Sequence, residues 1–287
     1  MALGANAGLS ERRRAFCATP EGADDLFRLV EAAEKMAAKH RDKEVLEFLH
    51  RHTRVPLSSP DEWKTEVRCA TSIEVLLRDF FNDYSPSMFE PLFEPVASAQ
   101  AAEWLQSRGA LLLTFHSGFA RLLRSFFRLF LPSGVIVENF KFSQRSLDAS
   151  NPGAALFGAR RALGDGRPVY IAPDGPFGSP AGTIDVLGAS CPVMGGAAFL
   201  AYETACETAW CALRRDGRVF VPVIERGPNR EDGESFPEFR DRLMAFYASM
   251  IESVFTGDPR SLALGGVWKK LFLKVILELD GAAEPVT

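Results

Sequence analysis

The sequence predicts an α/β fold: a central mixed sheet covered by helices on both faces, with a helical N-terminal lead-in and C-terminal helices. Three observations predict it. From residue 110 onward, short apolar runs bounded by Gly, Pro and Asp alternate with helical stretches, the pattern of a sheet buried on both sides. Before that point apolar residues recur at helical rather than strand spacing. The apolar content, 47% of 287 residues, is enough to bury a substantial core. The chain, 1–287, is read as one domain made of a helical region, 1–108, and an α/β core with C-terminal helices, 109–287.

In chain order, a helix is expected over 24–51, where Leu26, Leu29, Val30, Ala33, Met36 and Ala37, then Val45, Leu46 and Leu49, keep helical spacing. A second helix, 73–81, follows the polar segment 56–64, and a third, 97–107, stops before Gly109. Buried strands are expected over 111–115, 135–137, 169–172, 208–213 and 219–224, with helices over 119–130, 154–163 and 196–205 between several of them. A loop rich in charge, Gly and Pro covers 225–236, and a helix follows over 238–255. After the turn Gly257-Asp258-Pro259, the last helix, 267–279, sets Val267, Trp268, Leu271, Phe272, Val275, Ile276 and Leu279 against Lys269, Lys270 and Lys274. Docking of that apolar face on the core is the preferred reading; peripheral membrane contact is the alternative.

Several function classes are disfavoured. A net charge of −4 and a pI near 5.7 give no global field for nucleic acid or an anionic membrane. The five cysteines (Cys17, Cys69, Cys191, Cys206, Cys211) show no zinc-binding spacing and read as reduced cytosolic thiols, so no metal is expected. Charged residues from Glu11 to Asp25 interrupt any signal-peptide core, and the longest nearly uncharged stretch, 186–202, is broken by Gly and Pro. The expected location is cytoplasmic, with peripheral attachment at the inner membrane as the alternative.

Four histidines are present, and His40, His50 and His52 fall in the charged N-terminal region. His116 instead ends an apolar run and precedes Ser117-Gly118, where a strand gives way to a loop and a helix, a position α/β proteins use for sites. An imidazole there can act as a general base near neutral pH, although a structural, hydrogen-bonded His would look the same. The stretch Asp174-Gly175-Pro176-Phe177 also follows an apolar run: Asp174 can orient an imidazole or a substrate hydroxyl, and Gly175 lets backbone approach a ligand, while an ordinary turn is the competing reading. Arg121, Arg124 and Arg128 share one helix face beside His116 and can hold phosphate or carboxylate, or simply form a solvated basic face. Ser117 lacks a nucleophile elbow around it.

Taken in order, these elements resemble the lipid A biosynthesis late acyltransferases, of lauroyl and myristoyl type, within the lysophospholipid acyltransferase superfamily. The resemblance covers residues 111–271: the strand ending in His116, the stretch from Asn151-Pro152 to Arg160 before Gly164 and Gly166, the strand ending in Asp174, the runs Asp185-Val186-Leu187-Gly188 and Gly195-Gly196-Ala197-Ala198, and Asp258-Pro259 ahead of Trp268-Lys269-Lys270. It implies transfer of an acyl group from an acyl carrier protein or coenzyme A thioester, used as co-substrate with no permanently bound cofactor, to a hydroxyl or amine, with His116 as base. The acidic residue that the family carries five positions after its His is Arg121 here. A guanidinium cannot accept the imidazole N–H and lowers the imidazole's pKa, so Asp174 is the expected substitute, with Glu203 second. Arg121 and Arg124 are expected to hold the donor's phosphopantetheine or phosphate groups, with Gly175 and Phe177 beside the substrate and donors around Ser117 and Gly118 facing the oxyanion. The family's N-terminal membrane helix has no counterpart here, which favours a soluble or carrier-bound acceptor. A catalytically silent acyl- or lipid-binding relative and a thioesterase are the alternatives.

Overall fold

A computed structural model describes residues 43–54, 59–80, 86–106, 109–138, 146–175 and 178–282. Two helices open it: α1 (Lys43–His52) buries Val45, Leu46, Phe48 and Leu49, and α2 spans Pro60–Phe80. The second helix starts well before the expected residue 73, because Pro60-Asp61-Glu62 is a first turn and not a loop: proline fits the first helical position, and the carboxylates face the positive end of the helix dipole. A 3-10 segment, Pro86–Leu92, leads to α3 (Pro95–Gln106). Of the helix expected over 24–51, residues 24–42 lie outside the described residues, as do Cys17 and His40.

The core strands are β1 (Leu111–Leu113), β2 (Val135–Glu138), β3 (Ser146–Asp148), β4 (Val169–Ile171), β7 (Thr208–Asp216) and β8 (Val219–Arg226). They form a six-stranded sheet in the order β3-β2-β4-β1-β7-β8, parallel throughout except for the antiparallel pair β7/β8. The period-2 rule sorts their side chains. Leu111, Leu113, Val135, Val169, Trp210 and Ala212 join one core, while Leu112, Ile136, Tyr170, Ala209, Cys211 and Leu213 join the core on the opposite face. Helix α4 (Ala120–Phe130) packs into the second core; α5 (Pro152–Gly164), α6 (Gly196–Thr204), α7 (Phe236–Thr256) and α8 (Gly266–Ala282) pack into the first. Helices therefore cover both faces of the sheet.

Right-handed crossovers explain this division. The chain leaves β1 through α4 toward β2, one way along the sheet, but returns through α5 to β4 and passes on to β7 the other way, which puts the crossover helices on opposite faces. The connections from the adjacent strands β1 and β4 thus run in opposite directions. Their carboxyl ends form a topological switch point, the place where open α/β sheets bind ligands.

Among the strands, two features differ from the expectation. One is β3. The other is the hairpin of β5 (Pro180–Val186) and β6 (Ala189–Met194), which has alternating burial and turns at Leu187-Gly188 with both residues at positive φ. The last helix docks as preferred: Trp268 and Phe272 are fully buried, Lys270 and Lys274 face outward, and Val267, Leu277 and Leu279 remain exposed. Among the described residues no helix is long and apolar enough to cross a membrane.

Candidate active site

Strand register assembles the site. Leu113 of β1 pairs with Ile171 of β4, and the two chains continue in step for three more residues to His116 and Asp174. Equal offsets from one register pair bring those side chains face to face. His116 Nδ1 lies 2.9 Å from Asp174 Oδ1, and the His116 backbone N–H donates to Oδ2 at 2.9 Å. The Asp174 side chain is completely buried, whereas one third of the His116 side chain remains accessible. An ionised carboxylate only accepts, so Nδ1 carries the hydrogen and the neutral ring presents its Nε2 lone pair elsewhere.

Two aromatic side chains from the C-terminal helices complete the carboxylate's shell. The Trp268 indole N–H donates to Oδ2 at 2.9 Å. The Tyr247 hydroxyl lies 3.1 Å from Oδ1 and 2.8 Å from the Thr114 carbonyl, sharing one proton between two acceptors. Burial raises the Asp174 pKa, but the charge and hydrogen bond of the adjacent imidazole, the His116 backbone N–H and the Trp268 indole outweigh it and hold the carboxyl below the usual range. Burial also pulls His116 down, and Arg124 and Arg121 add to that pull; the charge and hydrogen bond of Asp174 prevail and leave the imidazole above its ordinary 6.5.

The consequences for stability follow from those signs. Because the folded His116 pKa is raised, its contribution is complete below the unfolded value and is lost as pH rises through the folded one. Because that of Asp174 is lowered, its contribution is present above the unfolded value and is lost as pH falls through the folded one. The urea stability difference between wild type and His116→Gln is therefore expected to be larger at about pH 5.5 than at about pH 8.5.

His116 opens on a cavity of about 440 Å³. Its wall is mostly apolar, from Ala120, Val137, Leu156, Ile171, Phe199 and Leu200 among others. Its polar groups include Arg124, Glu138 and Arg240. Glu138 ends β2 as His116 and Asp174 follow β1 and β4, and its fully buried carboxylate faces Arg124 at 3.4 Å and Arg128 at 3.0 Å, with the Ser146 hydroxyl also donating to it. The Arg124 Nε–H is buried and has no acceptor among the described residues.

The expected site residues divide accordingly. His116, Asp174, Arg124 and Gly175 come together: Asp174 bonds the imidazole, Arg124 and Gly175 line the same cavity as His116, and a Cβ at Gly175 would lie 3.4 Å from the imidazole Cε1. Arg121 does not line the cavity: its backbone N–H and its guanidinium both engage Glu74 of α2, so it is not available as a substrate contact there. Ser117 is fully buried and its Oγ accepts the Gly265 N–H at 2.7 Å; neither it nor Gly118 lines the cavity, so the structure does not bring the oxyanion donors expected there together with His116 and Arg124 on that wall. Glu203 sits at the surface opposite Arg160. Phe177 lies outside the described residues. Glu138 and Tyr247 carry no expected role, and Trp268 enters only as part of the last helix's apolar face and of the family resemblance, although Glu138 shows the same signal as His116, a polar residue closing an apolar run.

Gly265 is required by this packing. A Cβ there would come within 2.1 Å of the His116 carbonyl oxygen and 2.9 Å of Ser117 Oγ. Gly265→Ala is expected to cost about 2 kcal/mol in urea unfolding through overpacking against backbone.

Cys69, Cys191, Cys206 and Cys211 are free thiols, and burial with Asp174 nearby pushes Cys191 up to about 12. Among the described residues no group of His, Cys, Asp and Glu is arranged to hold a metal ion. Comparison with protein-family models gives no match, and a search of curated proteins gives none either.

Proposed function

We propose that the protein is an acyltransferase that moves an acyl group from a thioester of coenzyme A or a carrier protein to a hydroxyl or amine. The observation that carries this reading is the His116–Asp174 pair at a topological switch point, opening on a mostly apolar cavity. The resemblance of residues 111–271 to the late acyltransferases supports the same chemistry, and Asp174 supplies from β4 the carboxylate that Arg121 cannot.

In this reading the acyl chain lies along Leu156, Phe199 and Leu200. His116 Nε2 takes the proton of the acceptor as its oxygen or nitrogen attacks the thioester carbonyl carbon. The carbonyl π electrons move to oxygen, and Arg124 offers positive charge on the cavity wall to that oxyanion or to a phosphate of the donor. Collapse breaks the C–S bond, and the imidazolium returns its proton to the departing thiolate. The products are an ester or amide and a free thiol. Asp174 keeps Nδ1 protonated and stabilises the imidazolium, as the third member of a triad does.

The test is mass-spectrometric detection of acylated product from purified protein given a panel of acyl thioesters and a pool of hydroxyl and amine acceptors, beside His116→Ala. Transfer that disappears in the variant supports the reading. Free acid without acylated acceptor would make the protein a thioesterase, and bound thioester with no turnover would make it a binding protein. Because the imidazole must be neutral and its pKa is raised, the rate is expected to climb with pH through an apparent pKa above 6.5.

A further inference from the structure

We propose that Trp268, in the first turn of α8, is a positioning residue that fixes the Asp174 carboxylate for its bond to His116, making the C-terminal helix a working part of the site. This rests on His116–Asp174 being the reactive pair. A buried carboxylate is costly unless its lone pairs are met, and a terminal carboxylate torsion is soft unless its oxygens are held. His116 bonds Asp174 through both its ring and its amide, and Tyr247 divides one proton between Asp174 and Thr114. Among the described residues the Trp268 indole is the one other side chain that gives the carboxylate an undivided donor.

The indole is itself fixed. It is fully buried, with ring centroids 5.3 Å from Phe255, 6.0 Å from Phe272 and 6.5 Å from Phe115, the residue preceding His116. Just before it, the Gly265 N–H bonds Ser117 Oγ, and Gly265 lies against the His116 carbonyl where no Cβ fits. The segment from Gly265 to Trp268 therefore grips the loop after β1 and the carboxylate after β4 together. A Trp retained only to fill space would not need its one polar atom aimed at the acid.

The experiment replaces Trp268 with an isostere in which sulfur stands for the indole N–H, so that shape and packing persist; Trp268→Phe is the genetic counterpart. The His116 imidazole is titrated by NMR in the folded protein, with Asp174, Tyr247 of α7 and Arg121 and Arg124 of α4, the charged and titratable groups that face it, unaltered. If Trp268 positions the acid, the carboxylate turns away from Nδ1, and the imidazole's pKa falls by about half a unit or more as burial and the arginines regain their effect. Where transfer is measurable, kcat falls about tenfold with KM unchanged, the mark of a group acting in the transition state. An unchanged or raised imidazole pKa in the folded isostere overturns the proposal, since a donor that merely dampens the acid's charge would raise that pKa when lost. The titration needs no turnover, so it stands whether or not acyl transfer is found, and a negative transfer assay leaves it intact.

Discussion

In Asp174→Asn, acyl transfer is expected to fall about 10⁴-fold, the scale on which an orienting carboxylate acts in a catalytic triad. The substitution preserves shape but inverts the hydrogen-bond inventory. Asp174 meets three N–H groups and one shared hydroxyl proton, all donors, which an ionised carboxylate accepts with both oxygens. An amide has one oxygen. Whichever way it turns, its NH₂ faces either the Trp268 and His116 amide donors or the imidazole and Tyr247. If NH₂ faces Nδ1, the ring must present a lone pair there and place its hydrogen on Nε2, which then cannot accept the acceptor's proton. The imidazole also loses the charge that raises its pKa, while burial, Arg124 and Arg121 continue to lower it. The pH–rate limb should therefore move below 6.5 even as the plateau collapses, and NMR titration of His116 should follow it. A plateau that drops with no displacement of the limb would place Asp174 outside the base's electrostatic environment.

The residues that form this pair were legible because each closes an apolar run, and a polar residue closing a run must sit where a strand surfaces. The register that makes them partners was not legible. It depends on β4 inserting between β2 and β1, a long-range choice that local pattern does not encode. The same gap hid Tyr247 and Trp268, which reach Asp174 across 73 and 94 residues of chain from helices that looked like ordinary core elements. Helix periodicity placed Trp268 and Phe272 on a face that is buried, but the polar tip of an aromatic residue leaves no mark on periodicity. Arg121 misled for a complementary reason: sharing a helix face with Arg124 places two residues on one side of α4, not on one cavity, and Glu74 of α2 captures the first while Glu138 faces the second. The β5–β6 hairpin escaped notice because Pro180, Gly182 and Pro192 interrupt the alternation that would announce strands.

Glu138→Gln is expected to destabilise the fold strongly. The Glu138 carboxylate is fully buried between Arg124 and Arg128, so Glu138→Gln removes the central charge of a cluster whose arginines stay in place. Breaking a buried pair from one side costs about 3–5 kcal/mol, and the lower end is expected here because both guanidiniums retain some solvent contact. Urea unfolding at neutral pH reads that loss directly. Its structural origin predicts a partial rescue: Arg124→Gln in the same chain removes one stranded cation, so the double variant should recover stability relative to Glu138→Gln alone, a coupling that independent sites would not show. The two single variants should also move His116 in opposite directions. Losing Glu138 leaves Arg124 less compensated and pushes the imidazole's pKa down; losing Arg124 removes one of the charges that lowers it and lets it rise. Additive stabilities together with an unmoved imidazole would mean that the Glu138 cluster only supports the sheet edge. Coupled stabilities with opposed pKa displacements would make it the electrostatic floor of the cavity in which His116 works.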